Sequence, residues 1–254
     1  QNRADMQWLQ EKLPRLRGKM FWVGSGVDTE AVETKSFHDT KLQVLFVGRL
    51  MNDKGVRLVL ETARQLDPDK FQVTIIGPAS LGEPQTQAHV AESECAGIGI
   101  YFVELPVSNV AQQYRLHHLF LFPAHYGDGL PRVMLEAGFG LLCPIAHAIP
   151  ANRDLISHDR AVVLDDSADG AAIASQLRQL EENRVDLHKR AKAYQQHVTQ
   201  TYTTAAYANR LDNLLRQIVP AVNDNSTVPL RPATIADIEA VRRVHLAALP
   251  GVFL

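Results

Sequence analysis

A chain of 254 residues has room for one large domain, or for one ordinary domain with pieces of neighbours. With 46% apolar and 21% charged residues it can bury a real core, which excludes global disorder. A formal net charge of −2 excludes a nucleic-acid binder driven by a broadly basic surface, and 2 cysteines, Cys95 and Cys143, exclude a disulfide framework or a multi-cysteine zinc site. In chain order, a helix is expected near Ala4–Leu13, then a strand at Lys19–Val23 and a Gly-containing turn. Leu42–Gly48 (LQVLFVG) is a short apolar run ending in Gly, the pattern of a strand buried on both faces. Val56, Val59, Leu60 and Ala63 recur at i, i+3, i+4 and i+7, with Leu66 extending the stripe, which predicts a helix with one buried face. The alternation continues with a strand at Gln72–Gly77, a helix at Gln85–Cys95 and a strand at Ile98–Val103. Next come a helix at Asn109–Leu116, a strand at Leu119–Phe122, a helix at Arg132–Phe139 and a strand at Cys143–Ala146. Such alternation predicts an α/β fold with a Rossmann-like, doubly wound parallel sheet.

From Asp169 to Val219 the pattern is almost wholly helical, a C-terminal extension whose charged middle (EENRVDLHKRAK) reads as a solvated face. Pro220–Thr227 (PAVNDNST) reads as a linker. After it a strand and a helix at Ile235–Leu249 start a new pattern that cannot bury its own faces. No apolar run approaches the ~18–20 residues of a membrane span. Both ends are expected to belong to domains that continue outside the chain.

Doubly wound sheets bind ligands at the carboxyl ends of their strands, so the loops that follow strands are where chemistry is expected. The first candidate is Gly48-Arg49-Leu50-Met51-Asn52-Asp53-Lys54-Gly55. Gly48 permits a tight turn and close backbone approach, Arg49 and Lys54 supply two cations, and Gly55 lets the next helix begin with its amides exposed. That set suits a diphosphate. An ordinary strand–helix loop with two exposed basic residues is the plainer reading, and the spacing fits neither a P-loop nor a Gly-x-Gly-x-x-Gly turn.

The second candidate is PAHYGDGLPRVMLEAG, with Asp128 and Glu136 eight positions apart (136 − 128 = 8). Pro131 suits the first helical position, where its missing N–H costs little. Asp128 then precedes the helix and Glu136 lies nearly two turns into it, so the two carboxylates can meet opposite ends of an elongated ligand. The amides near Leu130, Arg132 and Val133 face anything anionic at the helix start. A helix cap plus a surface Glu is the plainer reading. It gives no reason for Glu136 within so apolar a stretch.

Together SGVDTE (25–30), LFVGRLMNDKGV (45–56), VTIIGP (73–78) and FPAHYGDGLPRVMLEA (122–137) resemble family-4 retaining glycosyltransferases of the GT-B fold, over about Met20 to Val219. The resemblance implies two Rossmann-like domains facing across a cleft, of which this chain is the second. Residues 1–27 would be the remnant of the acceptor-binding domain and hinge, with Asp28 at the hinge, and residues 28–219 the donor-binding domain. It implies a nucleoside-diphosphate sugar as donor, no further cofactor and no metal, because the protein's own cations do that work. Arg49 and Lys54 match the pair that grips the diphosphate and stabilises it as leaving group. Glu136 matches the carboxylate on the ribose hydroxyls, and Asp128 replaces the family's first Glu, which holds the transferred sugar. Gly48 and the amides of Gly129, Leu130, Arg132 and Val133 complete the donor contacts. The acceptor is expected to be a sugar or a lipid-linked acceptor, in polysaccharide or glycoconjugate biosynthesis. The implied location is the cytoplasm, at the inner face of a membrane reached through the missing N-terminal domain, with no nucleic-acid partner.

There are departures from the pattern. HAIPANRD replaces the usual Gly-Gly loop after Cys143–Ala146, with Asp154 in the place of that loop's Glu. Glu104 or Leu105 stands where a Gly is usual. Glu-Ala-Gly-Phe-Gly brings two glycines into a helix, at about 1 kcal/mol each relative to Ala. His117 and His118 are adjacent, so they point apart and form no metal pair, while His125 reads either as a donor contact or as a plain loop residue. Residues 228–254 (VPLRPATIADIEAVRRVHLAALPGVFL), which follow the 220–227 linker, resemble the opening strand and helix of a GNAT N-acetyltransferase. That implies a sugar transferase fused to an acyltransferase. An NDP-sugar epimerase of GT-B shape and a non-catalytic nucleotide-binding module are the alternatives.

Overall fold

The computed structural model describes residues 2–28, 30–38, 41–77, 100–103, 107–126 and 129–218. The expected helix at Gln85–Cys95, Glu104, Leu105, Asp128, the 220–227 linker and residues 228–254 lie outside them. The chain divides into two compact units, Gln1–Leu214 and Leu215–Leu254, and of the second only residues 215–218 are described.

Among the described residues six parallel strands form one sheet: β1 (Leu42–Val47), β2 (Phe71–Ile76), β3 (Ile100–Val103), β4 (Leu119–Phe122), β5 (Cys143–His147) and β6 (Val162–Leu164), in the order β3-β2-β1-β4-β5-β6. β1 pairs with β2 from Leu42↔Phe71 to Val47↔Ile76, and with β4 at Val44↔Leu119 and Leu45↔Phe120. Every residue of β4 and β5 is buried, and all but Gln43 in β1, as expected when helices cover both faces of a parallel sheet. The helices are α1 (Arg3–Lys12), α2 (Val56–Ala63), α3 (Val107–Leu116), α4 (Arg132–Phe139), α5 (Gly170–Glu182), α6 (Arg184–Thr201) and α7 (Thr204–Ile218). The stripe anticipated on α2 is the buried face, with Val56, Val59, Leu60 and Ala63 at most 2% exposed. Burying the two valines and the leucine stabilises by about 1.5–3 kcal/mol each. Asp169 and Asn183 cap the starts of α5 and α6 by accepting the amides of Ala172 and Asp186.

Gly138 in α4 and Gly140 at its C-cap have a packing reason. A Cβ on Gly138 would stand 2.7 Å from Val198 Cγ2 on α6, and one on Gly140 would stand 2.6 Å from Tyr114 Cβ on α3. The lost helix propensity is exchanged for close approach to two neighbours. Tyr194 of α6, fully buried, donates its hydroxyl to the Met134 carbonyl at 2.9 Å. At the opposite end of α4, the Lys35 ammonium donates to the carbonyls of Tyr114, His117 and Gly140 at 2.8, 2.5 and 2.5 Å. One cation thereby serves the C-termini of both α3 and α4, while burial lowers its pKa to about 7.

The expected strand at Lys19–Val23 is not a strand. No neighbouring segment among the described residues offers it a hydrogen-bonding edge, and side chains hold it instead. The guanidinium carbons of Arg3 and Arg210 lie 4.3 and 4.8 Å from the Trp22 ring centre, and Arg210 Nε donates to the Val23 carbonyl. Just beyond, Val27 bridges in parallel to Thr203 at the α6–α7 junction. β6, which was not anticipated, is 3 residues long, too short to show a period.

Candidate functional site at the carboxyl ends of β1 and β4

The strand order runs outward from β1 to β3 on one side and from β4 to β6 on the other, so the topological switch point lies between β1 and β4. Connections diverge there and leave a crevice, and both sequence candidates border it.

The loop after β1 is built by backbone contact. The Gly48 amide donates to the Ile76 carbonyl at 2.9 Å, and a Cβ on Gly77 would stand 1.9 Å from the Gly48 oxygen. Leu50 is buried beneath the loop, Arg49 is exposed, and Asn52–Lys54 make one 3-10 turn. Gly55 has φ +82°, and a Cβ there would meet the Pro123 oxygen at 2.3 Å. This glycine is therefore required twice, by its left-handed backbone and by the loop after β4. It also leaves the start of α2 with no side-chain cap.

The two cations differ. Lys54 reaches Asp53 Oδ2 at 3.6 Å, and its side chain is 15% exposed. It also lies 6.0 Å from the centre of the Tyr126 ring, across the crevice on the loop after β4. Asp53 Oδ1 is buried with no hydrogen-bond partner among the described residues. Sequence reasoning counted two cations and overlooked Asp53, which offsets one of them although it stands next to Lys54 in the motif.

After β4, Pro123 and Ala124 are buried while His125 and Tyr126 are exposed. Gly129 has φ +66°, Leu130 turns inward, and α4 begins at Arg132. Pro131 is the N-cap residue and not the first helical one, because its ψ of 116° is still extended. No side chain among the described residues caps this helix start, and Asp128, which the plainer reading made the cap, lies outside them. The amides of Arg132 and Val133 belong to the first turn, which has no carbonyl partner inside the helix.

Glu136 is not a plain surface residue. Its Oε1 accepts from Arg132 Nε at 2.9 Å, and its Oε2 accepts from the Tyr114 hydroxyl at 3.0 Å. Burial, and then the Glu136 charge, pushes the Tyr114 hydroxyl well above its usual pKa. The i, i+4 spacing of Arg132 and Glu136 is visible in the sequence. Tyr114, on α3, carries no local signal and was missed.

The loop after β5 differs from the Gly-Gly pattern in a definite way. β5 runs one residue past Ala146, to His147, whose ring is buried and lies 4.3 Å from that of His125, centre to centre, tilted by 31°. Burial, and then the charge on His125, lowers the His147 pKa. Asn152 Nδ2 donates to the His147 carbonyl at 3.2 Å. Asp154 accepts the Arg3 amide at 2.8 Å, so it is tied to α1. His117 and His118 point apart as expected: His117 Nδ1 meets the Gln113 carbonyl, while His118 Nδ1 accepts from the Gln43 amide and its Nε2 meets the Ser36 carbonyl. Among the described residues no cluster of three or more His, Cys, Asp or Glu is arranged to hold a metal, and no helix is long and apolar enough to cross a membrane.

With this geometry in place, comparison with known proteins is specific. Residues 28–198 match the family of glycosyl transferases, group 1. No curated protein matches the chain. Among solved structures it is similar to Anabaena HepE in complex with UDP-glucose, with TM-score 0.62 and 15% identity over 70% of this chain and 49% of that one. It is also similar to sucrose-phosphate synthase of Thermosynechococcus elongatus, with TM-score 0.65 and 19% identity over 82% and 56%. The C-terminal domain of the Francisella tularensis group 1 protein LpcC gives TM-score 0.59 and 20% identity over 70% of this chain and 100% of that domain. At such identities the structural likeness concerns the fold. The chain spans about half the length of the HepE structures.

Proposed function

This chain belongs to the group 1 glycosyl transferases, and on that premise we propose that it is the donor-binding half of an enzyme that moves a sugar, with retention, from a nucleoside diphosphate to an acceptor. The observation that carries the proposal is the crevice at the switch point, where the basic loop after β1 and the start of α4, which no side chain among the described residues caps, border one space. UDP and UDP-glucose in the HepE structures support the donor class.

In this reading Arg49 and Lys54 hold the diphosphate. Transfer breaks the bond between the anomeric carbon and the distal phosphate oxygen, and the electron pair stays on that oxygen. Preformed cations stabilise the growing charge more in the transition state than in the ground state. Glu136, steadied by Tyr114 and Arg132, takes the ribose hydroxyls. Asp128 and the amides of Gly129, Leu130, Arg132 and Val133 face the sugar and distal phosphate, and Gly48 lets the backbone come close. The acceptor, a sugar or lipid-linked acceptor, belongs to the other half of the enzyme, so this chain binds donor without completing transfer. Residues 1–27 are assigned to the hinge side, 28–219 to the donor domain, 220–227 to a linker and 228–254 to the start of a GNAT-like domain. The setting proposed is polysaccharide or glycoconjugate synthesis at the cytoplasmic face of a membrane.

Calorimetric titration of the chain with UDP, GDP and ADP tests the reading. One of the three is expected to bind, and Arg49→Ala or Lys54→Ala to weaken it at least tenfold. In a two-domain enzyme each change is expected to raise the transfer barrier by about 2–4 kcal/mol, the scale of losing an oxyanion donor. No binding of any nucleoside diphosphate at millimolar concentration would overturn the proposal.

A further inference from the structure

The Tyr126 ring stands in the crevice without being part of the core. It is 61% exposed, on the loop directly after β4. Other large exposed apolar side chains among the described residues, such as Trp8, Phe21 and Val185, lie on the N-terminal segment or on helices away from these strand ends. Leaving an aromatic ring in water forgoes the stabilisation that burial would give it. The ring is also placed opposite a charge: its centre is 6.0 Å from Lys54 Nζ, which belongs to the facing loop. The present partners of that ammonium are weak, a carboxylate at 3.6 Å and a ring face at the limit of cation–π range.

We propose that Tyr126 is the platform for the sugar ring of the donor and so a determinant of which sugar is accepted. The inference rests on the donor-binding reading given above and adds to it. A phosphate taken by Lys54 would place the group esterified to it on the same side of the crevice as the Tyr126 ring, whose centre is 6.0 Å from the ammonium. A pyranose offers one face of C–H bonds with hydroxyls around its rim. That face is apolar enough to stack on a phenol ring, and the rim remains open to polar groups. Stacking of this kind selects for sugars with an unbroken C–H face and against those with an axial hydroxyl on it. The nucleoside lies at the other end of the diphosphate and gains nothing from Tyr126.

The test uses the whole 254-residue chain and paired ligands: UDP with UDP-glucose, GDP with GDP-mannose, and ADP with ADP-glucose. For the base that binds, Tyr126→Ala is expected to weaken the nucleotide sugar about tenfold while leaving the bare diphosphate within about twofold. Tyr126→Phe keeps the ring and is expected to restore the sugar-dependent part. Because the side chain is exposed, thermal midpoints of both variants should match wild type. Equal weakening of sugar and bare diphosphate would overturn the platform, since the ring would then serve Lys54 or the nucleotide. No weakening of either would also overturn it. Should wild type bind no nucleoside diphosphate at all, the donor-binding reading itself falls, and the inference with it.

Discussion

The two loops that border the crevice are built by opposite means. The Gly48–Gly55 loop is set by backbone against backbone: Gly77 against the Gly48 oxygen, and Gly55 against the Pro123 oxygen. The α4 side is set by side chains from elements far apart in the chain, with Tyr114 and Arg132 on Glu136, and Lys35 on the carbonyls that end α3 and α4. The first kind of construction tolerates no added atom. The second fixes its polar side chains and depends on each partner.

The largest effect should come from breaking the backbone contact. Gly55→Ala puts a Cβ 2.3 Å from a carbonyl in a left-handed residue, and neither group can rotate away. A loss of about 3 kcal/mol or more in urea unfolding is expected, and a loss below about 1 kcal/mol would show the two loops to be less tightly joined than described.

Next is the acid response of the region built by side chains. Burial, more than any other influence, lowers the His117 pKa to about 4 from 6.5, and the nearby Lys35 charge adds to this. The unfolded chain therefore binds the proton first as pH falls. Stability contributed by the neutral ring is full above pH 6.5 and declines towards pH 4, by up to about 3 kcal/mol. His117→Gln should flatten that part of the pH profile of the urea midpoint, and an unchanged slope would refute the assignment.

Smallest is the support of Glu136. Tyr114→Phe removes one hydrogen bond to a charged acceptor and should cost about 1–2 kcal/mol of stability, with a severalfold loss of nucleotide affinity. Arg132→Ala, which opens a largely exposed i, i+4 pair, should cost about 0.5 kcal/mol or less. Reversal of that order would mean that Arg132, and not Tyr114, sets the carboxylate.

The same contrast explains what could be read without coordinates. β1, the α2 stripe and the Gly48–Gly55 turn were legible because period and glycine placement are local properties of a chain. The doubly wound sheet followed from alternation alone. Tyr114, Lys35 and the His125–His147 ring contact were not legible, since each joins segments brought together only by the sheet. Lys19–Val23 looked like a strand on local grounds, yet a strand exists only where another edge accepts its hydrogen bonds. Gly138 and Gly140 looked like weaknesses until Val198 and Tyr114 were seen against them.

The pairing of β1 with β4 carries a consequence for the order of assembly. Val44 lies beside Leu119, so the seam that makes the crevice joins parts of the chain separated by both β2 and β3. Pairing of β1 with β2 closes a much shorter loop and needs only the early part of the chain. During synthesis the basic loop after β1 therefore exists well before its counterpart after β4 has been made. The crevice is thus completed late, by the most distant strand pairing that involves β1.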